Sequence, residues 1–413
     1  MKFLSFKFFS NKKVKNYLII SFLSIIVSLY LFEGYLNLNK DNRKKILKKK
    51  EYLYKKETGK KYDTRNRIDI YYDKKKKNKN IQIAFSVTYL IKESKNFNTD
   101  RYELFPLSGI SNSETIHCNE NGYYSVYESD RFGFNNPNNE WEKKEIEYLL
   151  VGDSFILGAC VNRPNDIASI LRTQSNKAVL NLGYDGHGPL GQYAILREYL
   201  KEKKVKKILW FFTEANDLSD LHGELKLPAL TKYINDLEFN QNLKMKQNEI
   251  NKLLLNMKQQ FIKDHTKFEK KYLNQKNKNK KIKNKILKYI RLDQTKNVIF
   301  NIKKEEENLD EKEIYNTLKK ILKLADNLAT KNNSELYLVY LPEYKRYKTL
   351  FTDSRYSKVK TIANDLNIFF VDINAVFNKN KNPMNFFPFG LVGHYNKQGY
   401  KKIGETIYKL NDT

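Results

Sequence analysis

The sequence predicts an α/β protein: a three-layer α/β/α sandwich around a central parallel five-stranded sheet, interrupted by a helical insertion and preceded by an N-terminal transmembrane helix. Three observations predict it. Five short, continuous apolar runs lie between residues 146 and 373, each reading as a strand buried on both faces. Helical periodicity fills the spaces between them, and strand–helix alternation implies a parallel sheet covered by helices. Ahead of these, residues 17–32 read YLIISFLSIIVSLYLF, without a charge.

That apolar run continues past Glu33 through Gly34, Tyr35 and Leu36, close to the length a spanning helix needs. Lys2, Lys7, Lys12, Lys13 and Lys15 precede it with no acid among them, and no small-x-small cleavage site follows, so residues 1–36 read as an uncleaved leader and anchor. Residues Lys40 to Lys61 are more basic still, which by the positive-inside rule would hold that side in the cytoplasm. Lysine is abundant along the whole chain, however, and a short basic leader commonly stays inside. The expected arrangement is a single-pass membrane protein with its main domain on the extracytoplasmic (periplasmic) side. Residues 37–105 read as a basic juxtamembrane linker or helix. Within it KKKKNKN at 74–80 is a solvated run suited to lie on anionic head groups.

The main domain is expected over 106–413. Its strands are IEYLLVGD (146–153), AVLNLG (178–183), KKILWFFTE (206–214), ELYLVYLP (335–342) and NIFFVDI (367–373). Leu190 to Leu200 reads as one helix, and Ile314, Leu318, Ile321, Leu322, Ala325 and Leu328 trace one face of another. The pattern breaks at 223–312, a Lys/Asn-rich stretch with Leu243, Ile250, Leu254, Met257 and Phe261 in helical register. This is expected to be an inserted subdomain, either a lid over the substrate groove or a solvated insertion, with a flexible tract around 274–285.

With 413 residues and 49.1 kDa, the chain can bury a large core. Lys plus Arg total 76 against 47 acids, a net charge of +29. Only 11 of those 76 are Arg, the residue that reads bases and clamps phosphates, and the Lys excess travels with Asn, Ile and Tyr everywhere. Compositional bias accounts for the charge, and no nucleic acid is expected as a partner. Five His and two Cys exclude a multi-cysteine zinc array. His117, His222 and His265 lack partners at ligand spacing, so no metal and no cofactor are expected.

The chemistry-bearing residues sit at strand exits. The first strand ends Gly152-Asp153-Ser154-Phe155, placing a hydroxyl at a strand-to-helix turn where N–H groups face developing negative charge; a capping serine is the plainer alternative. The second ends Asn181-Leu182-Gly183-Tyr184-Asp185-Gly186-His187-Gly188-Pro189, a backbone open to close approach. The third ends Glu214-Ala215-Asn216-Asp217, and Gly393-His394-Tyr395-Asn396 precedes the last helix, Gln398 to Leu410. His187 could serve as a second base but reads better as a structural group; Asp153 and Asp217 read as braces of their own turns.

Taken in order, these four blocks resemble the SGNH (GDSL-like) hydrolase superfamily. So do the flanking CNENGYYSVYESDRFGFNNP, LVYLPEYKRY and FPFGLVGHYNKQGY, which are similar to a membrane-anchored, polysaccharide-associated branch. The resemblance implies Ser154 as nucleophile, His394 as general base and acid, and an oxyanion hole of Ser154 N–H, Gly186 N–H and the Asn216 side chain. Two positions depart from it. Glu214 stands where the third block usually has Gly, and Leu391 stands where an orienting Asp usually precedes the histidine by three. Either a backbone carbonyl or an acid from elsewhere, Glu214 or Asp372, would then hold His394.

The expected function is a serine esterase or O-acyltransferase acting on acyl, chiefly acetyl, esters of cell-envelope or exported polysaccharide. The alternative is a catalytically silent relative that binds or organises polysaccharide, for which Leu391 is the support. The sequence leaves oligomeric state open. Cys118 and Cys160 are expected to pair in an exported domain, two buried thiols being the alternative.

Overall fold

The computed structural model describes residues 12–39, 43–86, 104–274, 286–296, 311–348 and 354–411. The chain divides into two compact units, Met1–Ile46 with Asp264–Asp310, and Leu47–Lys263 with Glu311–Thr413.

In the smaller unit, helix Lys12–Asn39 contains a stretch, Lys13–Asn37, of mean hydropathy 1.9, long and apolar enough to cross a membrane. The one acid in its apolar stretch, Glu33, is not left bare. Its carboxylate accepts the backbone N–H groups of Gln294 (3.1 Å) and Thr295 (2.7 Å) and the Thr295 hydroxyl (2.8 Å). Tyr30 and Tyr289 each donate a hydroxyl to the other segment's backbone, at 3.0 Å.

The larger unit holds two sheets. The main one comprises β4 (Glu145–Val151), β5 (Val179–Asn181), β6 (Lys204–Thr213), β7 (Glu335–Leu341) and β8 (Phe369–Asp372), in the spatial order β5-β4-β6-β7-β8. Every pairing is parallel. Strand alternation explains the layers. Leu149, Val151, Ile208, Trp210, Phe212, Leu338 and Tyr340 face one core, with helices Pro189–Tyr199, Glu311–Lys331 and Arg355–Asp365. Tyr148, Leu150, Leu209, Phe211, Val339 and Leu341 face the other, with Ile167–Ser175, Ile373–Asn378 and Lys397–Tyr408. Both strand faces are apolar because both are covered. This is the three-layer parallel fold the sequence predicts.

In this order β4 lies between β5 and β6, so successive strands are added first on one side of β4 and then on the other, the point where open α/β sheets bind ligands beyond their carboxyl strand ends. The loops after β4, β5 and β6 carry Ser154, Gly186 and Asn216.

The stretch 37–105, read as a basic linker or helix, includes helices Arg43–Thr58 and Arg67–Lys75, and from Leu47 onward it falls in the larger unit. Ile68, Ile70 and Tyr71 on helix Arg67–Lys75 and Ile81 and Ile83 on β1 (Ile81–Ile83) bury against Ile116 on β2 (Glu114–Ile116). β1, β2 and β3 (Val126–Glu128) form the second sheet. Even the lysine run is partly tethered, since Lys74 and Asn78 both bind the Glu114 carboxylate. Residues 87–103 lie outside the described residues.

The 223–312 stretch, read as one helical insertion, falls partly in each unit. Leu230, Tyr233, Leu243, Ile250, Leu254 and Met257 bury in the same core as β4 and β6, so 228–257 is part of the domain, while Asp264–Asp310 falls in the other unit. The tract 275–285 lies outside the described residues.

Candidate active site

Asp153, at the end of the β4 loop, is the N-cap of the short helix Ser154–Leu157; its Oδ1 accepts the Phe155 N–H at 2.9 Å and the Thr213 hydroxyl at 3.1 Å. Asp153 takes the capping role, so Ser154 is the first helical residue and its hydroxyl is not used as a cap. Ser154 Oγ lies 2.9 Å from Nε2 of His394, across 240 residues of chain. His394 stands two positions before Asn396, whose Oδ1 accepts Gln398 N and Gly399 N to cap helix Lys397–Tyr408. The Phe155 ring packs 4.6 Å from the imidazole. Two helix starts therefore fix the pair.

The other imidazole nitrogen meets an acid the sequence reading missed. His394 Nδ1 is 3.3 Å from Glu120 Oε1, and the His394 backbone N–H donates to Glu120 Oε2 at 2.6 Å. A carboxylate on Nδ1 keeps the proton there and leaves Nε2 free to accept from Ser154. The fit requires Gly393. A Cβ at that position would lie 2.3 Å from Glu120 Oε2.

Neither acid considered from the sequence reaches His394. Glu214 is fully buried in an ion pair with Arg346, whose Nε lies 2.9 and 2.8 Å from its two oxygens. Asp372 caps helix Ile373–Asn378 through the Ala375 N–H at 2.8 Å and accepts the Tyr356 hydroxyl. Glu214 and Asp372 are structural. Leu391 donates its N–H to Pro388 O in a turn, and Glu120 supplies the carboxylate beside Nδ1.

Glu120 is held by its loop. Cys118 forms a disulfide with Cys160, Cα to Cα 4.9 Å. Asn121 Nδ2 donates to Cys160 O at 2.9 Å, and Asn119 Nδ2 donates to Asp63 O at 2.7 Å. The bridge thus joins the acid's loop to the segment that follows the serine helix. This was the available signal: pairing Cys118 with a residue six positions after Ser154 brings position 120 to the site. Opening the bridge with Cys118→Ser plus Cys160→Ser removes a closed loop of separation 42, worth about 4 kcal/mol. The variant is expected to unfold at lower temperature and also to slow reaction at the Ser154 hydroxyl at temperatures where it remains folded. Thermal unfolding and rate measurements, made side by side, check this.

Electrostatics support the pair. Burial would raise the Glu120 carboxyl, but the charge and hydrogen bonds of His394, joined by the Lys50 ammonium, outweigh it and bring it down to about 2. Burial would lower His394; the charge and hydrogen bond of Glu120, then the charges of Asp153 and Asp185, turn the shift upward from 6.5. A base must be neutral to accept a proton, so activity falls as pH drops through this raised pKa. The acid limb of kcat/KM is expected above pH 6.5. A limb below that value would contradict the placement.

Gly186 and Asn216, the other residues expected to serve an oxyanion, follow β5 and β6, the two neighbours of β4 in the sheet. Gly186 has φ +83°, in a turn closed by His187 N to Tyr184 O at 3.5 Å; a positive φ at this third turn position calls for Gly. The backbone N–H groups of Ser154 and Gly186 donate to none of the described residues. Asn216 Nδ2 donates to Asp220 Oδ2 at 2.7 Å, and the Asn216 side chain also bonds to Asp153. Burial, helped by the charges of Asp153, Glu224 and Asp185 and opposed by the Asn216 bond, pushes Asp220 up to about 7.

His187 is not a second base. It is fully buried, its Nε2–H donates to Leu107 O at 3.1 Å, and Nδ1 lies 3.8 Å from Glu224. Asp217, also buried, accepts the Thr213 N–H at 2.9 Å. Among the described residues, one group of metal-type ligands stands close together: Glu120, Cys160 and His394. Its sulfur is already bonded to Cys118 and its other two members to each other.

Solved structures similar to this chain include these three. A protein described as lipolytic and of the G-D-S-L family, from Desulfitobacterium hafniense, shares 14% identity over 65% of this chain and 99% of that one, with a TM-score of 0.34. A lipase/acylhydrolase from Enterococcus faecalis shares 11% over 64% and 94%, at 0.35. An acetyl xylan esterase shares 9% over 64% and 99%, at 0.34. No family model matches the sequence and no curated protein matches it.

Proposed function

We propose that this chain is a membrane-anchored serine esterase or O-acyltransferase of the SGNH type, acting on acyl, chiefly acetyl, esters of a cell-envelope or exported polysaccharide. One observation carries the reading: the continuous hydrogen-bonded line from Glu120 through His394 to Ser154, beside N–H groups without partners among the described residues. The apolar helix Lys13–Asn37 supports anchoring, and the disulfide supports an oxidising compartment.

In this mechanism Ser154 Oγ attacks the acyl carbon as its proton passes to His394 Nε2. The carbonyl oxygen becomes an oxyanion that accepts from Ser154 N–H, Gly186 N–H and Asn216 Nδ2–H, donors typically worth about 10²- to 10³-fold each. Glu120 stabilises the imidazolium without taking its proton. Collapse expels the sugar oxygen, which takes the proton from Nε2 and leaves an acyl-serine. A second nucleophile, water or a sugar hydroxyl, then attacks the acyl carbon as its proton passes to Nε2, and that proton moves on to Oγ as the bond to Ser154 breaks. Which of the two intercepts the acyl group separates esterase from transferase.

The silent-binder alternative drew its support from Leu391, and Glu120 removes that support. Hydrolysis of p-nitrophenyl acetate by the full chain in detergent tests the reading. Turnover above the buffer rate is expected; a rate equal to buffer would return the reading to the binder.

A further inference from the structure

A cavity of about 960 Å³ opens in the larger unit, lined in part by residues close in sequence to Glu120 and His394. Its walls come from the segments that supply the catalytic acid and base. Asn121 and Tyr123 follow Glu120, while Phe389 and Gln398 flank His394. Adjacent Cα atoms are only about 3.8 Å apart, so a ligand against Asn121 is a neighbour of the acid's loop.

The lining combines aromatic faces with amide side chains. Tyr54, Tyr123 and Phe389 supply the rings, and Tyr54 stands edge-on to Phe389 at 6.2 Å. Asn385 and Gln398 add carboxamides whose side chains bond to none of the described residues. Carboxamides both donate and accept, as sugar hydroxyls do, and aromatic faces cover the apolar faces of pyranose rings. Phe389 is also held at φ +56°, and Gly390 follows at φ +64°. A bulky residue in the left-handed region is a genuine outlier, and such backbone is retained where it sets a functional side chain.

We infer that this cavity is a saccharide-binding subsite, holding sugar units of the substrate polymer beyond the unit whose ester reacts. The inference rests on the esterase reading for its purpose, but its binding chemistry can be measured without catalysis.

The test uses full-chain Ser154→Ala in detergent, so that no ester is turned over. Its probes are partially O-acetylated hexasaccharides of glucose, mannose and N-acetylglucosamine, followed by calorimetry. Binding of at least one probe is expected. Adding Tyr123→Ala, or separately the exposed Gln398→Ala, should weaken it by about tenfold, with thermal unfolding showing that both variants are folded. Absence of binding by all three probes, or binding that both substitutions leave unaltered, would overturn the subsite. Absence of p-nitrophenyl acetate hydrolysis would overturn the esterase reading alone, so the two failures are distinguishable.

Discussion

Ser154→Ala and His394→Ala are each expected to lower kcat/KM toward p-nitrophenyl acetate by about 10⁴- to 10⁶-fold. The size follows from the 2.9 Å contact between Oγ and Nε2. A serine hydroxyl is inert without a base, and His394 is the only imidazole placed to serve it among the described residues. Because the two act as a unit, the double variant should be no slower than either single one. A residual rate from the amide donors should survive in all three. Steady-state rates with matched protein check the prediction; a double variant that loses the sum of both effects would mean that the two residues work separately.

Glu120→Gln is expected to cost about 10⁴-fold while leaving the fold intact, the loss that an acid-to-amide change produces by stabilising the wrong tautomer. The amide of Gln would offer an N–H toward Nδ1, placing the imidazole proton on Nε2, where it faces Ser154 as a donor. The Glu120 charge that raises His394 is also lost, so the acid limb of the surviving rate should move to lower pH. Gly393→Ala should mimic part of this, since its Cβ would occupy the space of Glu120 Oε2. Rates and pH profiles of these variants separate a positioning acid from a merely structural one, which would lower stability without moving the limb.

The strands and the Ser154–His394 pair were legible in the sequence for one reason. Each of Ser154, Gly186 and Asn216 follows a short apolar run, and chain order brings a late histidine back to the same sheet edge. Glu120 was not legible in that way. It precedes β4, lies 274 residues from His394, and follows the three-residue strand β2, which no apolar run in the sequence announces; only Cys118 marks it. Glu214 and Asp372, which do lie near strand ends, bind Arg346 and cap a helix instead. The small core of Ile68, Ile70, Tyr71, Ile81, Ile83 and Ile116 was hidden for a different reason. Its members are split over short segments, most of them in lysine-rich surroundings, and no single window shows a periodic face. In the insertion, the register of Ile250, Leu254 and Met257 was visible but its partner was not, because a helix's apolar stripe does not say which sheet face it meets.

Lys50 ties these regions together. It is buried on helix Arg43–Thr58, within the part that belongs to the larger unit, and its charge acts on Glu120. A chain shortened to begin near residue 80 would lose Lys50 and half of the small core, so the full chain is the form to assay.

The central claim is that one serine of this chain carries an activated hydroxyl. Treating the full-length protein with a fluorophosphonate and mapping the adduct by mass spectrometry tests it directly. The expected result is a single phosphonylated residue, Ser154, with labelling strongly slowed in His394→Ala. An adduct on another serine, or none on wild type under conditions that label a control serine hydrolase fully, would contradict it.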